Sequence, residues 1–323
     1  MRNYSFPSFA GFRPLIVFAA AVLASLASSA LGGTIRHDVS DQLYRDLAAE
    51  PQFQAVGTYS GRLFGSLTLI HPQWALTAAH VVDSDFDGNI GEESFGTVRI
   101  AGNTRTATQL IVPTGINGNP GWTGGIGQGF DIALVRLSSP ILGVTPASLY
   151  TSFQELGQTI TMVGFGQTGN GLTGASGGTG TKRAGQNVVD ELFSTGFANG
   201  ATGLRWDFDD PPPGTSATNR LGGSNTALPL EYQIAPGDSG GGSFIFENGN
   251  WFLAGVHSGT YDFQAPFEDS HTYGDVGLVT RVAAYQQFIF SSIPELAAMV
   301  PEPSSLAALA LAGLMAMRRR RSA

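Results

Sequence analysis

The stretch 235–242, APGDSGGG, places one aspartate and one serine among four glycines. Surface turns use the same residue types, so a flexible loop is one interpretation of these eight residues. The other is a reactive serine, because glycines let the backbone turn sharply and aim two N–H groups at a developing oxyanion. The octapeptide alone leaves both open, and the rest of the chain has to separate them.

The composition predicts a folded, mainly β protein. Of 323 residues, 42% are hydrophobic and only 13% are charged, which allows a buried core and excludes a disordered chain. The 44 glycines and 17 prolines suit short strands joined by many turns. Cysteine is missing from the sequence, which excludes disulfides, thiol catalysis and thiolate metal sites.

The N-terminus predicts a removable signal peptide over residues 1–30. Arg2 and Arg13 precede an apolar run from Leu15 to Leu26, and Ser28, Ser29 and Ala30 are small residues of the kind that precede a cleavage site. A membrane anchor is the alternative, but the apolar run is short for one.

The C-terminus, residues 300–323, has three parts in order: Pro-Glu-Pro at 301–303, 14 apolar or small residues, and four arginines at 318–321. This tail resembles the PEP-CTERM sorting signal of Gram-negative bacteria, which implies an exosortase-type partner and transient membrane contact. A short tail anchor is the alternative. Removing both ends takes the basic side chains from 17 to 11 and the acidic ones from 25 to 24. The acidic remainder argues against a nucleic-acid partner.

Between these ends, strand-like segments recur every 8 to 12 residues from Ala55 onward, which favours a sandwich or barrel. A short helix is expected over 41–49, an exposed loop over 167–181 and another over 209–224. Apolar residues at helical spacing over 281–293 predict a closing helix.

Three residues stand in a chemically meaningful order: His80, Asp131 and Ser239. A serine hydroxyl needs a histidine to take its proton, and the histidine needs a carboxylate to fix its tautomer. Each residue alone has a structural explanation, as a surface histidine, a turn aspartate or a linker serine. Their order is one of the recognised triad orders.

At these residues the sequence resembles the chymotrypsin-like (trypsin-like, S1) serine peptidases over about residues 52 to 293. The resemblance rests on segments in family order: GSLTLIHPQWALTAAH (65–80), DIALVRL (131–137), VGFG (163–166), GDSGG (237–241), GVHSG (255–259) and GLVTRVAAYQQFI (277–289).

The resemblance implies an all-β fold of two six-stranded antiparallel barrels with a C-terminal helix. The first barrel is expected over about 52–145 and the second over about 155–293, after an N-terminal segment at 31–51. His80, Asp131 and Ser239 would be catalytic, and the backbone N–H groups of Gly237 and Ser239 would form the oxyanion hole. No cofactor would be required.

The resemblance also implies that Asp238 is not the triad acid and has a different partner. In the family this aspartate pairs with an N-terminal amine freed by proteolysis. The sequence shows no Ile-Val-Gly-Gly start, and Ile35 is a weak candidate for such an end.

The same alignment of motifs implies a substrate pocket formed by Gln233, His257, Ser258 and Gly277. Gln233 replaces the aspartate that gives Arg/Lys preference. His257 occupies the place of a histidine found in members that cut after glutamate, so an acidic P1 residue is one hypothesis. The other is that His257 merely packs and that the remaining three residues set specificity.

Residues 83–93, DSDFDGNIGEE, resemble an EF-hand-type calcium loop, with carboxylates at alternate positions and glycine at the sixth. A structural calcium held by Asp83, Asp85, Asp87 and the Asn89 carbonyl is one hypothesis, and a solvated acidic loop is the other. The closing position, 94, is serine, and Glu93 comes one place early.

The sequence thus predicts an exported serine endopeptidase at the cell surface or outside the cell, acting on protein or peptide substrates. Two rivals are a non-catalytic binding or surface protein on the same scaffold, and an esterase that uses the same triad.

Overall fold

The computed structural model describes residues 32–115, 120–195, 200–212, 218–262 and 270–297. The predicted signal peptide (1–30) and the sorting tail (300–323) lie outside these ranges. Within them, no helix has the length and apolar character needed to cross a bilayer.

Short strands dominate the described chain, and the few α-helices are brief. The strands are β1 (Gly33–Ile35), β2 (Val56–Ser60), β3 (Phe64–His71), β4 (Trp74–Thr77), β5 (Thr97–Ile100), β6 (Asn103–Ile111), β7 (Ala133–Leu137), β8 (Ser148–Leu149), β9 (Thr159–Gly164), β10 (Thr168–Asn170), β11 (Gly174–Ala175), β12 (Arg183–Val188), β13 (Glu191–Phe193), β14 (Gly203–Asp207), β15 (Tyr232–Gln233), β16 (Gly242–Glu247), β17 (Asn250–Tyr261) and β18 (Val276–Arg281). The α-helices are α1 (Asp41–Ala48), α2 (Ala79–Val82), α3 (Gln286–Ser292) and α4 (Pro294–Ala297).

The first half is a closed six-stranded barrel in the order β2-β3-β4-β7-β6-β5. Its central strand β3 alternates apolar and small polar residues, and both sets are buried. Leu67 and Leu69 belong to the core, while Ser66 and Thr68 lie against glycines of the second half, at 240 and 242. Because successive side chains of a strand point to opposite faces, the leucines of β3 fill the barrel while its small polar residues contact the second half.

The second half is a curled eight-stranded sheet. Seven strands lie side by side in the order β12-β9-β16-β17-β18-β14-β13, and β8 pairs with β17. The predicted fold class, a chymotrypsin-like double barrel, is confirmed, but this half has more strands than the six expected. The additional strands are short: β8 joins in parallel, with Ser148 opposite Phe252, and β13 extends the edge beside β14.

Residues 167–181 were expected to be one exposed loop, and this expectation is wrong in part. The segment contains β10 and β11, which form a four-stranded sheet with β1 and β15. The N-terminal strand β1 pairs with β10 on one side and β15 on the other, so it gives the free side of β10 a backbone partner beyond the one that β11 supplies.

The C-terminal segment forms a 3₁₀ turn over Val282–Tyr285, followed by α3, as the spacing over 281–293 predicts. Ile289 and Ile293 belong to a buried cluster that contains Leu67 of the first barrel and Val256 of the second half. The Tyr285 hydroxyl donates to the Gly129 carbonyl, two residues before Asp131. The turn before α3 thus contacts the segment that carries the predicted triad acid.

Candidate active site

The ends of two paired strands bring His80 and Asp131 together. β4 pairs with β7 so that Thr77 faces Ala133, and His80 follows β4 while Asp131 precedes β7. The His80 backbone N–H donates to Asp131 Oδ1 at 2.9 Å, and the imidazole Nδ1 lies 2.8 Å from Oδ2. A carboxylate only accepts, so the proton of the neutral imidazole lies on Nδ1 and its lone pair on Nε2. His80 therefore has the tautomer that a general base requires.

Residues of the second half hold Asp131 in place. The Ser258 hydroxyl of β17 donates to Asp131 Oδ2 at 2.5 Å, and the Thr280 hydroxyl of β18 donates to the Asp131 carbonyl at 2.8 Å. The Asp131 side chain is 1% exposed. Two strands distant in sequence thus fix an aspartate that belongs to the first barrel.

Backbone contacts hold Ser239 against the first barrel. Its carbonyl accepts from the Ser66 N–H at 2.7 Å, and the following residue, Gly240, donates its N–H to the His257 carbonyl at 2.8 Å. A Cβ built on Gly65 would lie 2.8 Å from the Val81 side chain and 3.0 Å from the Ser239 carbonyl oxygen. Ser239 and the residue after His80 therefore flank the same glycine.

The hydroxyl of Ser239 makes no hydrogen bond to His80 within the part of the chain that the structure describes. Two adjacent residues of β17 instead connect the Ser239 turn to Asp131. The His257 carbonyl accepts from the Gly240 N–H, and the Ser258 hydroxyl donates to Asp131. The structure brings all three predicted catalytic residues to the junction of the two halves, with the direct contact formed between His80 and Asp131.

The predicted oxyanion hole has two uncommitted donors. Among the hydrogen bonds of the described residues, neither the Gly237 N–H nor the Ser239 N–H donates, although their neighbours Asp238, Gly240 and Gly241 all do. Gly237 has φ +96°, a conformation that favours glycine. The turn thus leaves two amides free on either side of Asp238.

Close packing explains the glycines after the serine. A Cβ on Gly240 would lie 2.1 Å from Thr77 Oγ1, and one on Gly241 would lie 2.5 Å from the Val163 carbonyl oxygen. Neither space admits a side chain. These glycines therefore let the Ser239 turn approach β4 and β9 closely, which favours the active-site interpretation of the octapeptide over a flexible loop.

Asp238 is completely buried, and the described hydrogen bonds of its carboxylate all come from groups outside the triad. Its carboxylate accepts from the Gly166 and Ala235 N–H groups at 2.7 and 3.0 Å and from the Tyr232 hydroxyl at 3.2 Å. Burial raises the pKa of Asp238 to about 6, against the opposing effect of these donors. Tyr232, which sequence analysis missed, takes the place next to Asp238 that the resemblance assigns to an N-terminal amine.

Ile35, the weak candidate for such an amine, lies inside β1, opposite Tyr232 of β15. Its carbonyl accepts from the Gly171 N–H. The contacts of Asp238 that the structure describes do not involve Ile35.

Two of the predicted pocket residues adjoin each other. Gln233 is buried, its amide nitrogen donates to the Asp275 carbonyl at 2.9 Å and its oxygen accepts from the Ile234 N–H at 3.0 Å. A Cβ on Gly277 would lie 2.5 Å from that oxygen and 2.2 Å from the Trp206 ring. Glycine at 277 therefore makes room for Gln233 and Trp206.

His257 is also completely buried, and its Nδ1 lies 3.1 Å from the Asp238 carbonyl. A carbonyl only accepts, so Nδ1 carries the proton and Nε2 has the lone pair. Nε2 is buried without a partner among the described residues. Burial lowers the pKa of His257 to about 3, so the imidazole is neutral at physiological pH. Ser258, predicted beside it as a pocket residue, directs its hydroxyl at Asp131 instead.

The acidic loop after His80 does gather its carboxylates. Asp83, Asp85 and Asp87 each offer an oxygen within 4.8 Å of the others. The side-chain oxygen of Asn89 accepts from the Gly91 N–H, which leaves its carbonyl as the group that the calcium hypothesis would use. Both oxygens of Glu93 accept from the Ser84 hydroxyl, and Glu93 does not belong to the cluster of three carboxylates.

Comparison with known proteins agrees with this architecture. The family model described as Trypsin matches residues 45–200, a range that includes His80 and Asp131 and ends before Ser239. Human kallikrein-11 is 28% identical over 153 residues, which are 46% of this chain and 51% of that protein. The chain thus spans about half the length of this curated relative.

A solved structure of a Glu endopeptidase in complex with MPD is also similar, with 17% identity, a TM-score of 0.48, and coverage of 81% of this chain and 98% of that one. The closed barrel with its curled partner sheet is a chymotrypsin-like double barrel. The match to the Trypsin family model covers residues 45–200, which is a little under half of the chain.

Proposed function

We propose that the protein is an exported serine endopeptidase that hydrolyses peptide bonds through an acyl-enzyme on Ser239. The observation that carries this proposal is the His80–Asp131 pair, in which the carboxylate contacts both the backbone N–H and the imidazole of His80. An aspartate that merely capped a turn would have no reason to fix the tautomer of a histidine beside a glycine-flanked serine.

The proposed chemistry uses the groups already described. His80 Nε2 takes the proton of the Ser239 hydroxyl as the serine oxygen attacks the substrate carbonyl. The oxyanion that forms accepts from the free Gly237 and Ser239 N–H groups. His80 then returns the proton to the leaving amine, and a water molecule, activated by the same imidazole, releases the acyl group. Asp131 stabilises the imidazolium in both steps.

Active-site labelling tests catalysis directly. A fluorophosphonate probe should label the protein and should fail to label Ser239→Ala, because the probe reports an activated serine. Ser176→Ala is the matched control, since Ser176 is an exposed serine in another glycine-rich segment. Labelling that survives in Ser239→Ala, or a complete lack of labelling in the folded wild type, would favour the non-catalytic scaffold.

Turnover of matched peptide and ester substrates separates the peptidase from an esterase. The peptidase proposal expects cleavage of amide bonds in peptides, and activity confined to simple esters would contradict it. Both activities should disappear in Ser239→Ala.

The acidic P1 hypothesis remains a proposal, and the chemistry of His257 adds a condition to it. Neutral His257 offers a lone pair at Nε2, which suits a donor such as a glutamine amide, whereas a glutamate carboxylate needs a protonated imidazole. Binding of a P1 glutamate should therefore be coupled to protonation of the His257 imidazole. We expect the ratio of cleavage rates for Glu and Gln P1 peptides to rise as the pH falls from 8 to 5. A Gln preference at each pH would contradict an acidic preference.

Export and sorting are part of the same proposal. Removal of residues 1–30 and of the tail from residue 300 would release the domain to the cell surface or the medium, with an exosortase-type enzyme as partner. N-terminal sequencing and intact mass of the exported protein test this. An exported protein that keeps both ends would contradict it.

A further inference from the structure

The loop after the catalytic histidine, residues 83–93, has a feature that hydrogen bonding among the described residues leaves unexplained. Asp83 is completely buried, and its Oδ2 accepts from Trp122 Nε1 at 2.6 Å and from the Gly88 N–H at 2.9 Å. Its other oxygen, Oδ1, is buried and has no partner. A buried carboxylate oxygen without a partner is costly, so this oxygen indicates a missing ligand.

Two further carboxylates complete a candidate ligand set. Asp85 and Asp87 are exposed, and with Asp83 they place one oxygen each within 4.8 Å of one another. No ion pair joins any of the three to a lysine or arginine within the described ranges. The loop thus concentrates negative charge around a buried, unsatisfied oxygen, and the charge of Asp87 in turn raises the pKa of Glu92.

The ligand chemistry favours calcium. The three groups are carboxylates on a turn-rich loop, without a nitrogen or sulfur donor of the kind that zinc or copper prefers. Calcium accepts irregular oxygen sets completed by carbonyls and water, whereas magnesium demands a near-ideal octahedron. Glu93 is engaged by Ser84, so the site lacks the closing bidentate glutamate of an EF-hand. An affinity of about 10⁻⁴ to 10⁻³ M, as in extracellular calcium modules, is expected.

The same loop touches the catalytic histidine. Phe86, between two of the aspartates, stacks on the His80 ring with centroids 6.1 Å apart and planes 13° from parallel. Its φ of +62° lies in the left-handed region that disfavours a bulky side chain. A Cβ on Gly124 would lie 1.8 Å from the Phe86 carbonyl oxygen, so only glycine lets the 121–124 segment pack here. The loop is held in an unfavourable conformation that places an aromatic ring over His80.

We propose that residues 83–93 bind one Ca²⁺ through Asp83, Asp85 and Asp87, and that the ion fixes Phe86 against His80 so that catalysis depends on calcium. The binding site stands on its own geometry. The effect on catalysis rests on the proposed peptidase function.

Calcium binding is tested without any activity assay. The full chain, freed of metal with a chelator, is titrated with calcium chloride in a calorimeter. It is also titrated with terbium while its tryptophans are excited. Trp122 is bonded to Asp83, so it should sensitise terbium luminescence that added calcium then reduces. We expect one site, lost in the Asp85→Asn/Asp87→Asn double variant and kept in Asp46→Asn, an exposed aspartate on α1. No heat above dilution, or equal binding in the double variant, overturns the site.

The coupling to catalysis is tested by the rate of fluorophosphonate labelling. Calcium should raise this rate at least about fivefold, the lower end of typical couplings between sites. The double variant should lose the calcium effect, and Phe86→Ala should bind calcium but lose most of the rate increase. Equal labelling rates with and without calcium in a protein that binds the ion would overturn the coupling.

The two proposals fail separately. If the protein binds calcium but is not labelled at any calcium concentration, the peptidase proposal is wrong and the calcium-site proposal is still supported. If the protein is labelled but does not bind calcium, the calcium-site proposal is wrong and the peptidase proposal is still supported. Ser239→Ala should bind calcium like the wild type, because Ser239 is not a ligand.

Discussion

Ser258 donates its hydroxyl hydrogen to Asp131 Oδ2 at 2.5 Å, and this oxygen is the one that also contacts His80 Nδ1. The acid of the first barrel is therefore oriented by a strand of the second. Two donors on one carboxylate oxygen hold the carboxylate in a single rotamer, which in turn holds the imidazole. Catalytic geometry at this junction depends on the two halves being packed together.

Asp131→Asn should lower kcat by about 10⁴-fold, because an amide can donate to Nδ1 and so favour the wrong imidazole tautomer. Labelling kinetics and peptide turnover measure the loss. Circular dichroism should remain unchanged, since asparagine has nearly the same shape. A loss below tenfold would contradict the role of Asp131 in fixing the tautomer.

Ser258→Ala should lower kcat/KM by about tenfold or more. A hydrogen bond to a charged group contributes about 1.5–3 kcal/mol, and each 1.36 kcal/mol is a factor of ten in rate. Ser243→Ala is the matched control, because Ser243 is a buried serine on the neighbouring strand β16 whose hydroxyl has no partner among the described residues. Equal activities of the two variants would show that the Ser258 hydroxyl does not support catalysis.

Tyr232→Phe should destabilise the turn that carries the two free amides. The Tyr232 hydroxyl donates to the buried Asp238, so its loss should cost about 1–3 kcal/mol of unfolding free energy and slow labelling of Ser239. Tyr150→Phe is the control, since the Tyr150 hydroxyl donates to a different carboxylate, Glu247, at 3.1 Å. Tyr232→Phe that labels as fast as Tyr150→Phe would mean that the amides are held without this contact.

The sequence predicted the residues that share a motif better than the residues that support them. His80 and Asp131 could be predicted as a pair because each lies next to a recognisable strand segment, and the pairing of those strands accounts for their contact. Tyr232 and Ser258 were missed as supports because their roles depend on where a hydroxyl points, and this follows from register rather than from residue type.

The same distinction explains the small sheet that replaced an expected loop. Residues 167–181 have weak intrinsic strand preference, and pairing with β1, more than 130 residues earlier, adds a second ladder to the one that β10 forms with β11. The acidic loop at 83–93 was visible because its carboxylates are close in sequence. A second group of carboxylates, spread over residues 190–231, was not.

That second group gives the last prediction. The charges of Asp190, Asp207, Asp209 and Glu231 interact with one another, and the last three residues are buried. Burial, and then the charge of neighbouring carboxylates, raises the pKa of Asp209 to about 7; burial raises that of Asp190 to about 6. Burial also raises the pKa values of Asp207 and Glu231.

The sign of the pH effect follows from these directions. The folded protein holds these protons more tightly than the unfolded chain, whose aspartates titrate near 3.8. The contribution of Asp190 and Asp209 to stability is therefore complete below about pH 4 and is lost as the pH rises through their folded pKa values, at about 6 and about 7. One such group changes the unfolding free energy by at most about 1.4 kcal/mol per pH unit.

Asp209→Asn should remove one of these titrations while keeping the shape of the side chain. We expect the variant to unfold at a higher urea concentration than the wild type at pH 8 and at about the same concentration at pH 4, with calcium held constant. Asp46→Asn, on the exposed face of α1, should show no such pH-dependent difference. If Asp209→Asn is less stable than the wild type at pH 8, the buried carboxylate is ionised and compensated by a partner, and the unfavourable burial of charge inferred here is wrong.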